Sequence, residues 1–317
     1  MENTLRPANM LLEVCYEMDP FTIVVDTSCD LPPEYIREHG IGVLPIPFYL
    51  DDIEHSKGYW QEISGGDFYG ALRKGSSSRT SQINPETFFG AFTDYAEQGK
   101  DALFLLLSSG LSTTYHNAMI ALGDVKETFP GCGLYPVDSI GATALNTLLA
   151  MLAVDKRNEG LSVAETAAWL EEKKQSVLGF FTADDLMYLH RGGRLSKLSA
   201  VGGSVLGIKP VLNIGPDGTL ALKDKARGRE AALRLLVSQL KRSIYPDTPL
   251  GSVVITHTDC RKDADKLADM VSAAVNVKQI HVFLMGPVIG AHVGPGAVTL
   301  VCEADMTREQ YNKKFYD

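Results

Sequence analysis

A chain of 317 residues with 30 basic and 39 acidic side chains carries a net charge of −9. That excludes wide phosphate-backbone binding, which needs a basic face. Its 45% hydrophobic and 22% charged content is ordinary for a soluble globular protein, and the length suffices for two domains.

No apolar stretch approaches the roughly 20 residues that span a bilayer, so no integral membrane segment is expected. Residues 1–20 lack a basic start followed by a long apolar run, because Glu13 interrupts Met10–Val14. They read as a loosely held extension rather than a secretion signal. Cys15, Cys29, Cys132, Cys260 and Cys302 are scattered, odd in number and form no C-x-x-C pair. A reduced, cytoplasmic setting with bystander thiols follows.

Phe21–Val25 is a short buried strand, followed by the polar turn Asp26-Thr27-Ser28-Cys29-Asp30 and a helix from Tyr35 that Gly40 ends. Ile41–Pro47 is extended and, with two prolines, belongs near a sheet edge. Residues 51–66 are polar and irregular, and Asp67–Arg73 is a short helix. A hydroxyl-rich loop, Gly75 to Ile83, then leads to a helix with Asn84 as N-cap and Pro85 in its first turn. That helix carries Phe88, Phe89, Phe92 and Ala96 and ends at Gly99.

Leu103–Leu107 follows, an apolar run typical of strands buried on both faces. Five hydroxyls lie within the next seven residues, Ser108 to Thr114, and Tyr115, Ala118, Met119, Leu122 and Val125 recur behind them at helical spacing. This is strand, tight turn, helix. Ligands of open α/β sheets bind at such strand ends, and a helix N-terminus offers unpaired N–H groups to an anion. Hydroxyls add neutral donors, which suits a carboxylate or phosphate. The competing reading is that Ser109 or Ser112 simply caps the helix.

Gly133–Val137 is a further strand, Ile140–Asn158 a long apolar helix, and Ser162-Val-Ala-Glu165 a capping box opening another helix through about Lys174. Alternating strands and helices predict a mainly parallel sheet. From Val177 the pattern changes. A strand to Thr182 and a short helix over Asp184–His190 precede a small-residue helix over Ser196–Leu206. Then come a hairpin of Lys209–Ile214 and Thr219–Leu222, a helix over Arg229–Ile244, the strand Ser252–Thr256, a helix near Asp263–Ala274, and the strands Ile280–Leu284 and Ala297–Val301. A hairpin among α/β units implies a mixed sheet. The expected architecture is α/β in two domains. An N-terminal three-layer α/β/α domain with a mainly parallel sheet covers 21–175, and a C-terminal mixed-sheet α/β domain covers 176–317.

Met285 to Gly296 contains four glycines and two prolines around His292. Glycines permit close approach to a ligand and prolines stiffen the loop, so His292 is a candidate site residue, with a packed bystander as the alternative.

Taken together these segments resemble the DegV family. Asp26-Thr27-Ser28-Cys29-Asp30-Leu31-Pro32, Thr80-Ser81-Gln82, Leu107 to Ser112 with Thr114-Tyr115, Leu189-His-Arg-Gly-Gly-Arg-Leu195, Lys209-Pro-Val-Leu212 and Gly286 to Gly296 match its elements in order across residues 21–301. The resemblance implies a protein that binds one long-chain fatty acid such as palmitate, its carboxylate between the domains and its acyl chain in the second. It further implies that some members are subunits presenting the acid to a fatty acid kinase. Carried over by motif, the carboxylate ligands are Thr80 and Ser109 with Ser81 and His292 nearby, and Ser108, Ser112, Thr27 and Gly286 are expected to form a secondary pocket. Arg227, among Lys223, Lys225 and Arg229, falls where kinase-binding subunits carry a docking cation, against the alternative of a solvated strand-to-helix turn. No metal or cofactor is implied. Thr113 replaces a family glycine, a change expected to narrow the carboxylate pocket, and Ile83 stands where proline is usual.

Apolar wall candidates are Phe180, Phe181, Val201, Val205, Leu206 and Ile208. The other function classes are an enzyme acting on a carbonyl or phosphate substrate through His292 and an anion sensor without chemistry. The chain has no G-x-S-x-G elbow, no P-loop and no G-x-G-x-x-G fingerprint.

Overall fold

In the computed structural model, residues 20–194 and 207–316 are described. Residues 1–19 of the extension and the helix expected over Ser196–Leu206 lie outside them. Strand β1 (Thr22–Asp26) is buried from Ile23 onward. Helix α1 (Pro33–Glu38) starts on the expected prolines, and Gly40 beyond it takes the positive φ of 57° that an L side chain resists. The next three strands are β2 (Gly42–Leu44), β3 (Phe48–Leu50) and β4 (Ile53–His55). After α2 (Gly65–Arg73) comes β5 (Ser78–Thr80), then α3 (Pro85–Glu97), capped by Asn84, whose Oδ1 accepts from Thr87 N at 2.8 Å. Strand β6 (Ala102–Leu106) leads to α4 (Thr114–Thr128), β7 (Leu134–Asp138), α5 (Ala144–Asn158) and α6 (Val163–Lys173) with its full capping box.

β2, β1, β6 and β7 form, in that order, an all-parallel sheet. Residues 51–66 and the hydroxyl segment after Gly75 differ from expectation. β4, β3 and β5 make a small antiparallel sheet that pairs Phe48 with Thr80. A third of the expected loop is thus a strand, and Thr80 is its last residue.

The second half contains β8 (Val177–Thr182), α7 (Met187–Arg191), β9 (Ile208–Ile214), β10 (Leu220–Arg227) and α8 (Arg229–Ser243). These are followed by β11 (Leu250–His257), α9 (Arg261–Ala274), β12 (Val277–Leu284), α10 (Pro287–Val293), β13 (Val298–Glu303) and α11 (Arg308–Phe315). Its six strands form one mixed sheet in the order β10-β9-β8-β13-β11-β12, with only β11 and β12 parallel. The hairpin is longer than expected, so Arg227 ends a strand. The Gly/Pro segment after Met285 folds as α10 rather than a loop, so His292 sits in a helical turn.

Helix α5 connects the two halves. Eleven of its residues are buried, on all sides, because it lies between the two large sheets. One hydrophobic core therefore runs from Phe104 and Leu148 to Phe181 and Val301 without a break. The helix begins at Ala144, later than expected, because Ile140 and Thr143 adopt left-handed φ values of 44° and 51°. Such residues cost on the order of 1–3 kcal/mol unless held. Thr143 is held by its N–H to Ser28 O at 2.8 Å and its hydroxyl to Asp30. The fully buried Arg308 donates to the carbonyls of Ile140, Val177 and Gly215, tying both halves together.

Candidate functional site

A cavity of about 770 Å³, its opening included, lies among α5, α10 and the larger sheet. Its wall is mostly aliphatic, with Leu107, Leu145, Phe181, Ile214, Met285 and Val288 contributing. Phe180 packs in the separate core on the opposite face of the sheet, and Ile208 is exposed, so neither is wall. Val201, Val205 and Leu206 lie outside the described residues.

Polar groups enter the cavity in two places. At one, Thr80 from the end of β5 meets His292 of α10, Oγ1 to Nε2 being 2.7 Å. Ser81, Ser112 and Arg194 line the same cavity. Gly192 allows the imidazole its place, since a Cβ there would lie 2.3 Å from His292 Nδ1. Burial, with the Arg194 guanidinium adding to it, pushes the His292 pKa down to about 4, so the ring is neutral at pH 7. Nδ1 is buried without a partner among the described residues. Because an unpaired buried N–H is costlier than an unpaired lone pair, the ring proton belongs on Nε2. His292 then donates to Thr80, and the Thr80 hydroxyl keeps its own proton for a ligand. Arg194 is half-buried and donates Nε to Leu111 O at 3.2 Å. Burial lowers its pKa, yet a guanidinium stays charged at neutral pH.

Ser109 is placed differently. Its hydroxyl donates to Asp138 Oδ2 at 2.5 Å and its N–H to Asp138 Oδ1 at 3.1 Å, and it does not line the cavity. A serine has one proton, so this hydroxyl can hold a carboxylate only by leaving Asp138. Ser108 donates to Gly218 O at 2.8 Å, across to the β9–β10 turn, where Gly110 and Gly218 pack backbone to backbone. Ser112 accepts from Thr114 N at 3.2 Å, combining a cap-like bond with a place on the cavity wall. Thr27 Oγ1 accepts from Ile46 N at 2.9 Å within the first half, and Gly286 N donates to Asp30 Oδ1 at 2.7 Å, a bond that joins the two halves. Arg227 is exposed, with no ion pair among the described residues. Thr113 is exposed at the start of α4 and does not narrow the cavity, contrary to expectation. Ile83 is buried, and its carbonyl accepts from Asn117.

The second polar place is Thr143 and Thr299. Neither they nor Arg194 stood out as candidates in the sequence. Two signals were available: Arg194 directly follows a glycine pair, and Thr299 is a lone hydroxyl in the apolar run Ala297–Val301. Among the described residues, no group of His, Cys, Asp or Glu is arranged to hold a metal, and no helix is long and apolar enough to cross a membrane.

Residues 20–305 match the model of a family described as "Uncharacterised protein, DegV family". A DegV domain-containing protein of Clostridium perfringens is 36% identical over 284 residues, 89% of this chain and 97% of the relative. Two solved structures share the fold and cover 90% of this chain and 99% of their own. A DegV lipid-binding protein of Thermotoga maritima gives a TM-score of 0.79 at 28% identity. A DegV family protein of Thermus thermophilus, described by its fatty acid binding, gives 0.80 at 26%.

Proposed function

The chain belongs to the DegV family, and from that premise we propose that it binds one long-chain fatty acid. The acyl chain fills the aliphatic cavity and the carboxylate rests against Thr80, Arg194 and Ser112. The observation that carries this reading is the pairing of an aliphatic cavity with a corner holding one cation and one hydroxyl whose proton the neutral His292 leaves free. About 0.8 kcal/mol per buried CH2, over roughly fourteen methylenes, gives about 11 kcal/mol before ordering costs. The polar corner therefore needs to supply only orientation and selectivity. Ser109 joins the carboxylate if its hydroxyl releases Asp138, and Ser81 and His292 complete the surroundings.

Both halves contribute: residues 21–175 bring Thr80 and Ser112, and residues 176–317 bring Arg194, His292 and most of the acyl wall. An enzyme acting through His292 is less well supported. A histidine held near pKa 4 is a weak base at pH 7, and Ser109 bonds Asp138 rather than the imidazole. Presentation to a fatty acid kinase is the role we assign to the exposed basic end of the hairpin. Arg227→Ala should slow phosphorylation of bound acid by such a partner, as raised salt does, without changing lipid affinity.

Organic extraction and native mass spectrometry test the central claim. One fatty acid per chain, rebound after delipidation, is expected; protein that neither carries nor rebinds long-chain acids overturns it.

A further inference from the structure

Thr256 and Thr299 stand directly opposite each other on the antiparallel pair β11 and β13, so their side chains share one face of the sheet. Phe181, opposite Thr299 on β8, lines the cavity, which makes this the cavity face. The start of α5 brings Thr143 onto the same patch, its hydroxyl 2.8 Å from that of Thr256. Behind it the buried Asp30 accepts the Gly286 N–H at 2.7 Å with one oxygen and the Thr143 hydroxyl with the other.

The proton order follows from the state of Asp30. With Asp30 ionised, Thr143 gives its proton to it and Thr256 gives its own to Thr143. Both protons are spent pointing away from the cavity. Thr299 stands apart: it is only 4% exposed and lines the cavity, and its hydroxyl makes no hydrogen bond among the described residues while keeping access to the cavity rather than being sealed in. An unpaired hydroxyl in an aliphatic wall is unfavourable, and a saturated chain lying over it leaves it so.

We infer that the cavity is built for an oxygenated acyl chain, and that Thr299 selects a hydroxy fatty acid over its saturated parent. This rests on the fatty-acid reading above. A chain hydroxyl can both accept the Thr299 proton and donate to its lone pairs. A keto group can only accept, so it ranks between hydroxyl and methylene.

The test titrates delipidated full-length protein with stearate, a positional series of hydroxystearates and the matching ketostearates. Parent, Thr299→Val and Thr299→Ser are compared, with thermal unfolding as the check on folding. At one stretch of chain positions the parent should favour the hydroxy acid over stearate by about fivefold, the size of one net buried hydrogen bond. Thr299→Ser should keep that preference. Thr299→Val, nearly the same shape, should invert it, binding stearate more tightly and the hydroxy acid more weakly. Equal affinity for stearate and every hydroxystearate in the parent overturns the inference even if the valine variant fails to fold. A preference that survives in Thr299→Val overturns it too. Binding of stearate without preference leaves the fatty-acid reading standing, whereas failure to bind any of the acids removes both.

Discussion

Two hydroxyls stand at strand ends before a helix, Thr80 and Ser109, and the structure treats them in opposite ways. Thr80 meets an imidazole that donates to it, so its proton stays available at the cavity. Ser109 meets the carboxylate of Asp138, and its proton is spent there. The local sequences are alike: hydroxyl-rich, next to a strand, ahead of a helix. What separates a hydroxyl with a proton to spare from one whose proton is spent is the charge and tautomer of a partner 212 residues away in one case and 29 in the other.

The largest test of this contrast removes the cation on the Thr80 side. Arg194→Gln should cost about 3 kcal/mol of fatty-acid binding, roughly a hundredfold, read by calorimetric titration. It should also flatten the salt dependence of binding. Affinity within threefold of the parent would move the carboxylate away from this corner.

Acidity separates the corners next, because only one contains an imidazole. The folded His292 pKa of about 4 lies below the usual histidine value, so its contribution is complete above about pH 6.5 and is lost as pH falls toward 4. Asp30 acts with the opposite sign. Burial raises it to about 7, so folded protein keeps a proton that the unfolded chain has released, and stability falls as pH rises from about 4 to about 7. Asp30→Asn should remove that second trend, on the order of 4 kcal/mol by denaturant unfolding. It should leave stability that simply declines on acidification. An unchanged pH profile in the variant would mean that Asp30 titrates normally.

Thr80→Val should weaken binding by about 1.5–2 kcal/mol with little change in melting temperature. Ser109→Ala should do the reverse, lowering stability by about 1 kcal/mol while shifting fatty-acid affinity less than threefold. A tenfold loss of affinity in that variant would show that the serine swings from Asp138 to the ligand on binding.

Much of this molecule was legible before its structure. The parallel sheet was visible because β1 and β6 are apolar runs buried on both faces. The N-caps at Asn84 and Ser162 followed from side-chain chemistry alone. Family membership rested on ordered motifs rather than on any single one. The small antiparallel sheet escaped notice because its strands are three residues long, β4 and β5 are mostly polar, and β5 is a strand only through the distant pairing of Phe48 with Thr80. Helix α10 was hidden by the glycines in and around it. They are there for close packing: a Cβ at Gly290 would lie 2.3 Å from the Tyr69 hydroxyl oxygen. Arg194 and Thr299 acquire meaning only from what the chain folds against them, which no local pattern encodes.

The shared helix α5 also bears on how the chain must be made. When Asp138 leaves the ribosome, the first sheet has all four of its strands, and α5 arrives within the next twenty residues to cover it. Its other side is equally apolar, and the strands it packs against there extend to Glu303. Throughout synthesis of the second half, the nascent chain therefore presents an uncovered greasy helix. A truncated product ending near residue 175 should aggregate or be held by chaperones, and the two halves should melt as one unit.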